Sequence, residues 1–242
     1  MSLLQDLNAF ERNDFEVILT FNVREEWNID LKIYAFPLTI IYNDKPKGFA
    51  ENHNAAFRAS KGSFFVFLNP DIRLPHDPFD SLIAVLEKYG RSICAPKILN
   101  PKGEIEDSAR GFPSPWFLMK KLFRKVFGFT LAIERVKSVG PMLLNPDWVA
   151  GMFIMVPSTL YSELGGLNEN YFLYYEDVDF CARARRKGVS VFLVSNVAAV
   201  HMAQRDSHRR LRYTFWHLRS ALRFFISPAY LYIAARRVFG LR

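Results

Sequence analysis

The 242-residue chain has little cysteine: only Cys94 and Cys181, both in apolar surroundings. Two distant cysteines supply neither a disulfide framework nor a zinc site. They point to a reducing compartment. Long apolar runs are also missing. The nearest candidate, FFISPAYLYIAARRVFG (224–240), is broken by Pro228, Arg236 and Arg237, so no spanning helix is expected. Near the start, Asp6 and Asn8 interrupt Leu3, Leu4 and Leu7, and no cleavage site follows, so no secretory leader is expected. Finally, no Asp or Glu occurs from Ser207 onward.

What is there is half hydrophobic, which excludes disorder, and long enough for one large domain with a real core. The net charge is +8. Its acid-free end carries Arg209, Arg210, Arg212, Arg219, Arg223, Arg236, Arg237 and Arg242, interleaved with Trp216, Leu218, Leu222, Phe224, Phe225, Tyr230 and Tyr232. Cations among apolar residues at helical spacing favour a segment lying on an anionic membrane surface. The bland alternative is a helix packed on the core with a solvated basic face. No recognition motif accompanies the charge, so nucleic acid is not an expected partner.

FEVILT (15–20), LTIIY (38–42) and FFVFL (64–68) are short, largely apolar runs, as suits strands covered on both faces. Between the last two, residues 48–62 read as a helix with Phe49, Ala56 and Phe57 inward. After FFVFL a second helix is expected, with Asp77 as N-cap, Pro78 in its first turn, Leu82, Ile83 and Leu86 inward, and Gly90 as its stop. Alternating strands and helices predict a mostly parallel sheet. Residues 100–147 read as strand, loop and irregular helix. WVAGMFIMVP (148–157) reads as one buried strand, 158–164 as a short helix and VSVFLVS (189–195) as a strand.

Ligands in such sheets sit beyond the carboxyl ends of the strands. Asn69-Pro70-Asp71 follows FFVFL at such an end. Asp71 there could hold Mg²⁺ or Mn²⁺ bridging two phosphates, or simply cap a turn. In YFLYYEDVDFCARARRKG (171–188), Glu176, Asp177 and Asp179 open a helix, where the macrodipole favours acids. Capping alone explains neither the preceding Tyr171, Phe172, Tyr174 and Tyr175 nor His201 at the end of another strand. Together these pieces point to metal-assisted group transfer.

The ordered set IIYNDKPKGFAENHNAAF (40–57), FFVFLNPDIRL (64–74), EDSARGFPSP (106–115), DWVAGMFIMVP (147–157), GGLNENYFLYYEDVDFCARARRKG (165–188) and VAAVH (197–201) resembles the family 2 glycosyltransferases, especially their rhamnosyltransferase-like branch. The resemblance implies a single-domain α/β GT-A-like fold, with a mostly parallel mixed sheet flanked by helices. Residues 1–206 would form the transferase domain, shortened at its N-terminus, and 207–242 a basic amphipathic helical extension.

The resemblance also implies inverting transfer of a sugar, rhamnose first, from a nucleotide-diphosphate donor to a lipid-linked or polysaccharide hydroxyl. By resemblance, Asp177 is the general base and Glu176 positions the acceptor. Being ionised at a helix N-terminus, Asp177 would be a weak base, which favours concerted deprotonation. Asp71 and His201 would hold the divalent cation, Mg²⁺ or Mn²⁺. Trp148 and Gly151 would line the pocket, Trp148 stacking on a sugar. Asn43, Gly48, Asn52 and Asn54 would serve the donor side, and Arg110 a phosphate or the acceptor. The expected setting is the cytoplasmic face of the cell membrane.

The chain departs from the family pattern in two places. The family's first strand, an interior one, is lacking, and the second ends Thr20-Phe21-Asn22 without the usual Asp. A catalytically impaired relative that binds acceptor or a partner is therefore the competing expectation.

Overall fold

The computed structural model describes residues 2–23, 31–116, 119, 142–202 and 211–239. Helix α1 (Ser2–Ala9) leads to β1 (Val17–Phe21) and β2 (Leu38–Tyr42). These strands pair in parallel, Val17 opposite Leu38 through Phe21 opposite Tyr42, as a two-stranded sheet of their own. Helix α2 (Phe49–Ala59) follows, then β3 (Phe64–Leu68), β4 (Ile72–Arg73) and α3 (Phe79–Tyr89). Asp77 caps α3 by accepting the Phe79 N–H at 2.8 Å, and Gly90 ends it with a φ of 63°. Both ends lie within a residue or two of where the sequence puts them.

The remaining elements are β5 (Ser92–Leu99), β6 (Ala109–Arg110), β7 (Leu143–Leu144), β8 (Trp148–Val149), β9 (Phe153–Pro157), α4 (Ser158–Glu163), α5 (Glu176–Arg186), β10 (Ser190–His201), α6 (Leu211–Phe225) and α7 (Pro228–Val238). The six-stranded sheet runs β3-β9-β5-β10-β4, with β7 also on β10. It is mixed: β5 and β10 are parallel, whereas β3–β9, β5–β9, β10–β4 and β10–β7 are antiparallel. The expected parallel character therefore holds for β1–β2 and β5–β10, and antiparallel pairs outnumber them. Apolar runs report burial on both faces and say nothing of strand direction.

The single strand expected over 148–157 is two short strands with a turn between them. That break leaves Gly151 in the turn just before β9, beside Asp177, and Asn69 donates its N–H to Met152 O at 2.9 Å. Most of the helix expected within 100–147 falls outside the described residues, as do Arg209, Arg210 and Arg242.

One core cluster lies on the α2/α5 side and includes Phe65, Phe67, Tyr161, Phe180 and Phe224. The other lies on the α1/α3 side and includes Leu82, Leu86, Phe153 and Ile72. Ile18 packs against the first, while Val17 and Leu19 pack against the second, as do Phe64, Val66 and Leu68 of β3. So β1 and β3 lie in one layer, yet no strand pairing joins them. Helices α6 and α7 are integral to the domain, because Ala221, Phe224, Ala229, Tyr230 and Ile233 belong to the first core cluster.

Candidate active site

The site lies where β1, β2, β3, β5 and β10 end. At the first two, an amide network closes the edge. Asn43 donates to Asn22 Oδ1 at 3.0 Å and to Asn52 Oδ1 at 2.7 Å. Asn22 holds Lys47 through its N–H (2.8 Å) and its carbonyl (3.0 Å). The structure thus brings Asn43 and Asn52 together and adds Asn22, whose part the strand-end sequence did not reveal.

Asn54 is elsewhere. It donates to Leu167 O and Glu169 Oε1 and accepts from Tyr161 Oη and the Leu167 N–H, all within 2.9 Å. Those bonds use the full capacity of the amide. Asn54 therefore joins α2 to the 161–169 segment and takes no part in the Asn22–Asn43–Asn52 network.

Gly48 is needed for close approach. A Cβ there would lie 2.7 Å from Phe172 O and 2.9 Å from Phe172 Cα, both backbone atoms. Phe49 donates its N–H to the same carbonyl at 2.9 Å. The loop held in this way runs directly into α5.

Its last two residues, Tyr174 and Tyr175, both have a φ of 70°, a left-handed conformation that bulky side chains rarely adopt. Such strain persists only where the surroundings impose it. Here α6 supplies the restraint. Ser220 Oγ donates to Leu173 O at 2.9 Å, Trp216 packs on Phe172, His217 lies against both tyrosines, and Phe224 against Tyr175. The turn delivers Glu176 and Asp177 as the first residues of α5, with no side-chain N-cap.

The three acids then part ways. Asp179 is structural: it pairs with Arg183 at 2.7 Å, one helical turn on. Arg183 also donates to Leu164 O and to Gly166 O. Asp177 accepts the Gly151 N–H through Oδ2 and the Val178 N–H through Oδ1, both at 2.8 Å. Glu176 is 6% exposed, and among the described residues its Oε2 has no hydrogen-bond partner.

Burial raises the pKa of both carboxyls. For Glu176 the neighbouring Asp177 charge adds to the effect, and for Asp177 the backbone N–H groups oppose it without cancelling it. The sequence reading of Asp177 as a weak base rested on the macrodipole. In the fold, desolvation outweighs that dipole and makes this pair more basic than surface carboxylates.

Arg110 lies opposite Trp148 in the β6–β8 pairing, its guanidinium 5.4 Å from the indole centroid. It is ion-paired to Asp107 at 2.8 Å, and its charge acts on Asp177. Trp148 is 9% exposed and donates to Gly111 O at 3.1 Å. A sugar face would therefore meet this indole only if Arg110 swung away.

The structure brings Asp71 and His201 together as an ion pair, Oδ2 to Nε2 at 3.2 Å. The antiparallel β4–β10 pairing holds them there, with His201 opposite Ile72. The sequence reading missed a third member: Glu106 Oε2 sits 2.9 Å from His201 Nδ1. Its only sequence signal was its place at the head of EDSARGFPSP.

Hydrogen bonding to Asp71, and then to Glu106, raises the His201 pKa to about 9 and outweighs burial. The ring is therefore an imidazolium at neutral pH, donating from both nitrogens and unable to ligate a metal until it loses a proton. Asp71 is held below its ordinary range by the same bond, and its buried Oδ1 has no hydrogen-bond partner among the described residues.

Among the described residues, no group of three or more His, Cys, Asp or Glu side chains is arranged to hold a metal ion. The orphaned Asp71 oxygen does fit a Mg²⁺-type ion, which characteristically uses one or two carboxylates and takes its other ligands from phosphates and water.

The family profile described as Glycosyl transferase family 2 matches residues 3–134. The rhamnosyltransferase WbbL of Escherichia coli K12 is 29% identical over 208 residues, covering 81% of this chain and 73% of that protein. An N-acetylglucosaminyl-diphospho-decaprenol L-rhamnosyltransferase of Mycobacterium tuberculosis is 29% identical over 57% of this chain and 47% of its own length. Among solved structures, GalNAc-T7 with UDP, GalNAc and Mn²⁺ superposes with a TM-score of 0.57 at 13% identity, over 78% of this chain and 38% of that one. This last likeness concerns the fold.

Proposed function

The chain belongs to glycosyl transferase family 2, and on that premise we propose that it transfers a sugar, with inversion, from a nucleotide-diphosphate donor to a lipid-linked hydroxyl in cell-surface glycan synthesis. The observation that carries this reading is the Glu176–Asp177 pair, raised in basicity and anchored to Gly151. Asp177 accepts the acceptor hydroxyl proton as that oxygen attacks the anomeric carbon, and the nucleoside diphosphate departs from the opposite face. Glu176 positions the acceptor. The amides of Asn43 and Asn52 and the cation of Arg110 meet the donor and its charge, and His201, protonated and held between Asp71 and Glu106, sets a positive charge beside the diphosphate. Asp71 would hold a divalent cation, Mg²⁺ or Mn²⁺, which neutralises leaving-group charge when bound.

The names of the two relatives support rhamnose as the sugar, with thymidine diphosphate as the first nucleotide to try. The mycobacterial relative supports a prenyl-diphosphate-linked acceptor. Among the described residues no helix is long and apolar enough to cross a membrane. We place the chain peripherally, at the cytoplasmic face of an anionic membrane.

The test is titration calorimetry with thymidine-diphospho-rhamnose and UDP-sugars, with and without Mn²⁺. Metal-dependent donor binding by the native chain is expected, weakened at least about tenfold in Asp71→Asn, which removes a charged ligand. A folded protein that binds no nucleotide sugar under any of these conditions would refute the reading.

A further inference from the structure

Helix α6 has two apolar faces. Its inner face carries Ser220, Ala221 and Phe224 and clamps the loop that presents Glu176 and Asp177. The outer face should be polar in a soluble domain. Instead Phe215, Leu218 and Leu222 recur at three- and four-residue spacing and lie 60%, 50% and 59% exposed. Ile226, one turn further, is 75% exposed. Spacing of this kind puts all four side chains in one stripe.

Arg212, Arg219 and Arg223 repeat along one flank of that stripe, also at helical spacing. Among the described residues none of the three forms an ion pair, and Arg212 stacks its guanidinium 4.5 Å from the Trp216 ring centroid. No acidic side chain occurs anywhere on α6 or α7.

We propose that the outer face of α6 docks on an anionic lipid bilayer, Phe215, Leu218, Leu222 and Ile226 entering the headgroup–acyl boundary while Arg212, Arg219 and Arg223 meet lipid phosphates. The charge decides the occupant. A solvated helix face explains the arginines but not four large exposed apolar groups beside them, and a stripe serving a second copy of the chain would set arginine against arginine across a two-fold axis. An apolar face flanked by unpaired cations is complementary to an anionic interface. The docking deepens the proposed reading and, in its consequence for catalysis, rests on it. One helix thickness separates the bilayer from the loop that presents the catalytic carboxylates, so the site would work where a lipid-linked acceptor keeps its sugar.

The experiment is co-sedimentation of the full chain with vesicles of mixed phosphatidylglycerol and phosphatidylcholine, and with phosphatidylcholine alone. The native chain should bind the mixed vesicles and leave the neutral ones. Leu218→Ser combined with Leu222→Ser should weaken binding by at least about tenfold, and so should Arg212→Gln combined with Arg219→Gln. All four side chains are exposed, so melting temperature and circular dichroism should match the native chain, which controls for misfolding. Equal binding by either variant, equal binding to neutral vesicles, or a stripe variant that loses only self-association in light scattering would overturn the proposal. The assay needs no nucleotide sugar. A chain that docks but transfers nothing therefore refutes the proposed activity and leaves the docking intact, and the converse result does the opposite.

Discussion

Replacing Asp177 by Asn changes one oxygen to an NH₂ and removes one charge. In the native site both oxygens accept backbone N–H groups at 2.8 Å, from Gly151 and Val178. An amide can accept only one of these, and its NH₂ must face the other donor. The lost charge-assisted bond costs about 1.5–3 kcal/mol of stability. Removing a buried charge beside Glu176 offsets part of that, so the net stability change should be small, within about 2 kcal/mol by urea unfolding.

Catalysis has no such offset. General-base assistance contributes about 10²–10⁴-fold, or roughly 2.7–5.5 kcal/mol of barrier. Initial rates of sugar transfer to a prenyl-diphosphate-linked acceptor should fall by that factor, while donor affinity from calorimetry stays within about threefold, because Asp177 is assigned no donor contact. Turnover by Asp177→Asn within about threefold of native would refute the base assignment. A large loss of donor binding would show instead that Gly151 had moved and that the residue acts by positioning.

Two further outcomes are expected. Glu176 binds its proton more tightly folded than unfolded, so its contribution to stability falls as pH rises above the ordinary glutamate range. Glu176→Gln should therefore raise the melting temperature near and above neutrality, have little effect at acid pH, and lower transfer; a destabilised variant at pH 8 would show that the ionised group is paired after all. Gly48→Ala places a Cβ 2.7 Å from a backbone carbonyl that cannot rotate away, so it should cost about 1–3 kcal/mol in urea unfolding and slow transfer by shifting the Phe172–Tyr175 turn, whereas native stability would show that the loop relaxes freely.

Much of this protein is decided by its sequence locally. Asp77 and Gly90 bound α3 because capping and a left-handed stop need only neighbouring backbone groups. Ser227-Pro228 starts α7 for the same reason: the serine accepts the Tyr230 N–H, and the proline lacks the donor that a first turn leaves unused. The apolar runs mark the strands, and the order of short motifs marks the family, because both are written in contiguous residues.

What needed the tertiary structure is whatever depends on distant segments. Strand direction was hidden, since a run buried on both faces reads alike in either orientation. Glu106 meets His201 across 95 positions of sequence, and adds to Asp71 in raising the histidine's pKa. Asn54 sits two residues from Asn52 yet serves a different junction, because successive helical positions point away from each other. The helix start alone makes Asp177 a weak base, and the fold raises its pKa instead. A macrodipole can be read from a helix boundary, but desolvation depends on what the rest of the chain packs around it.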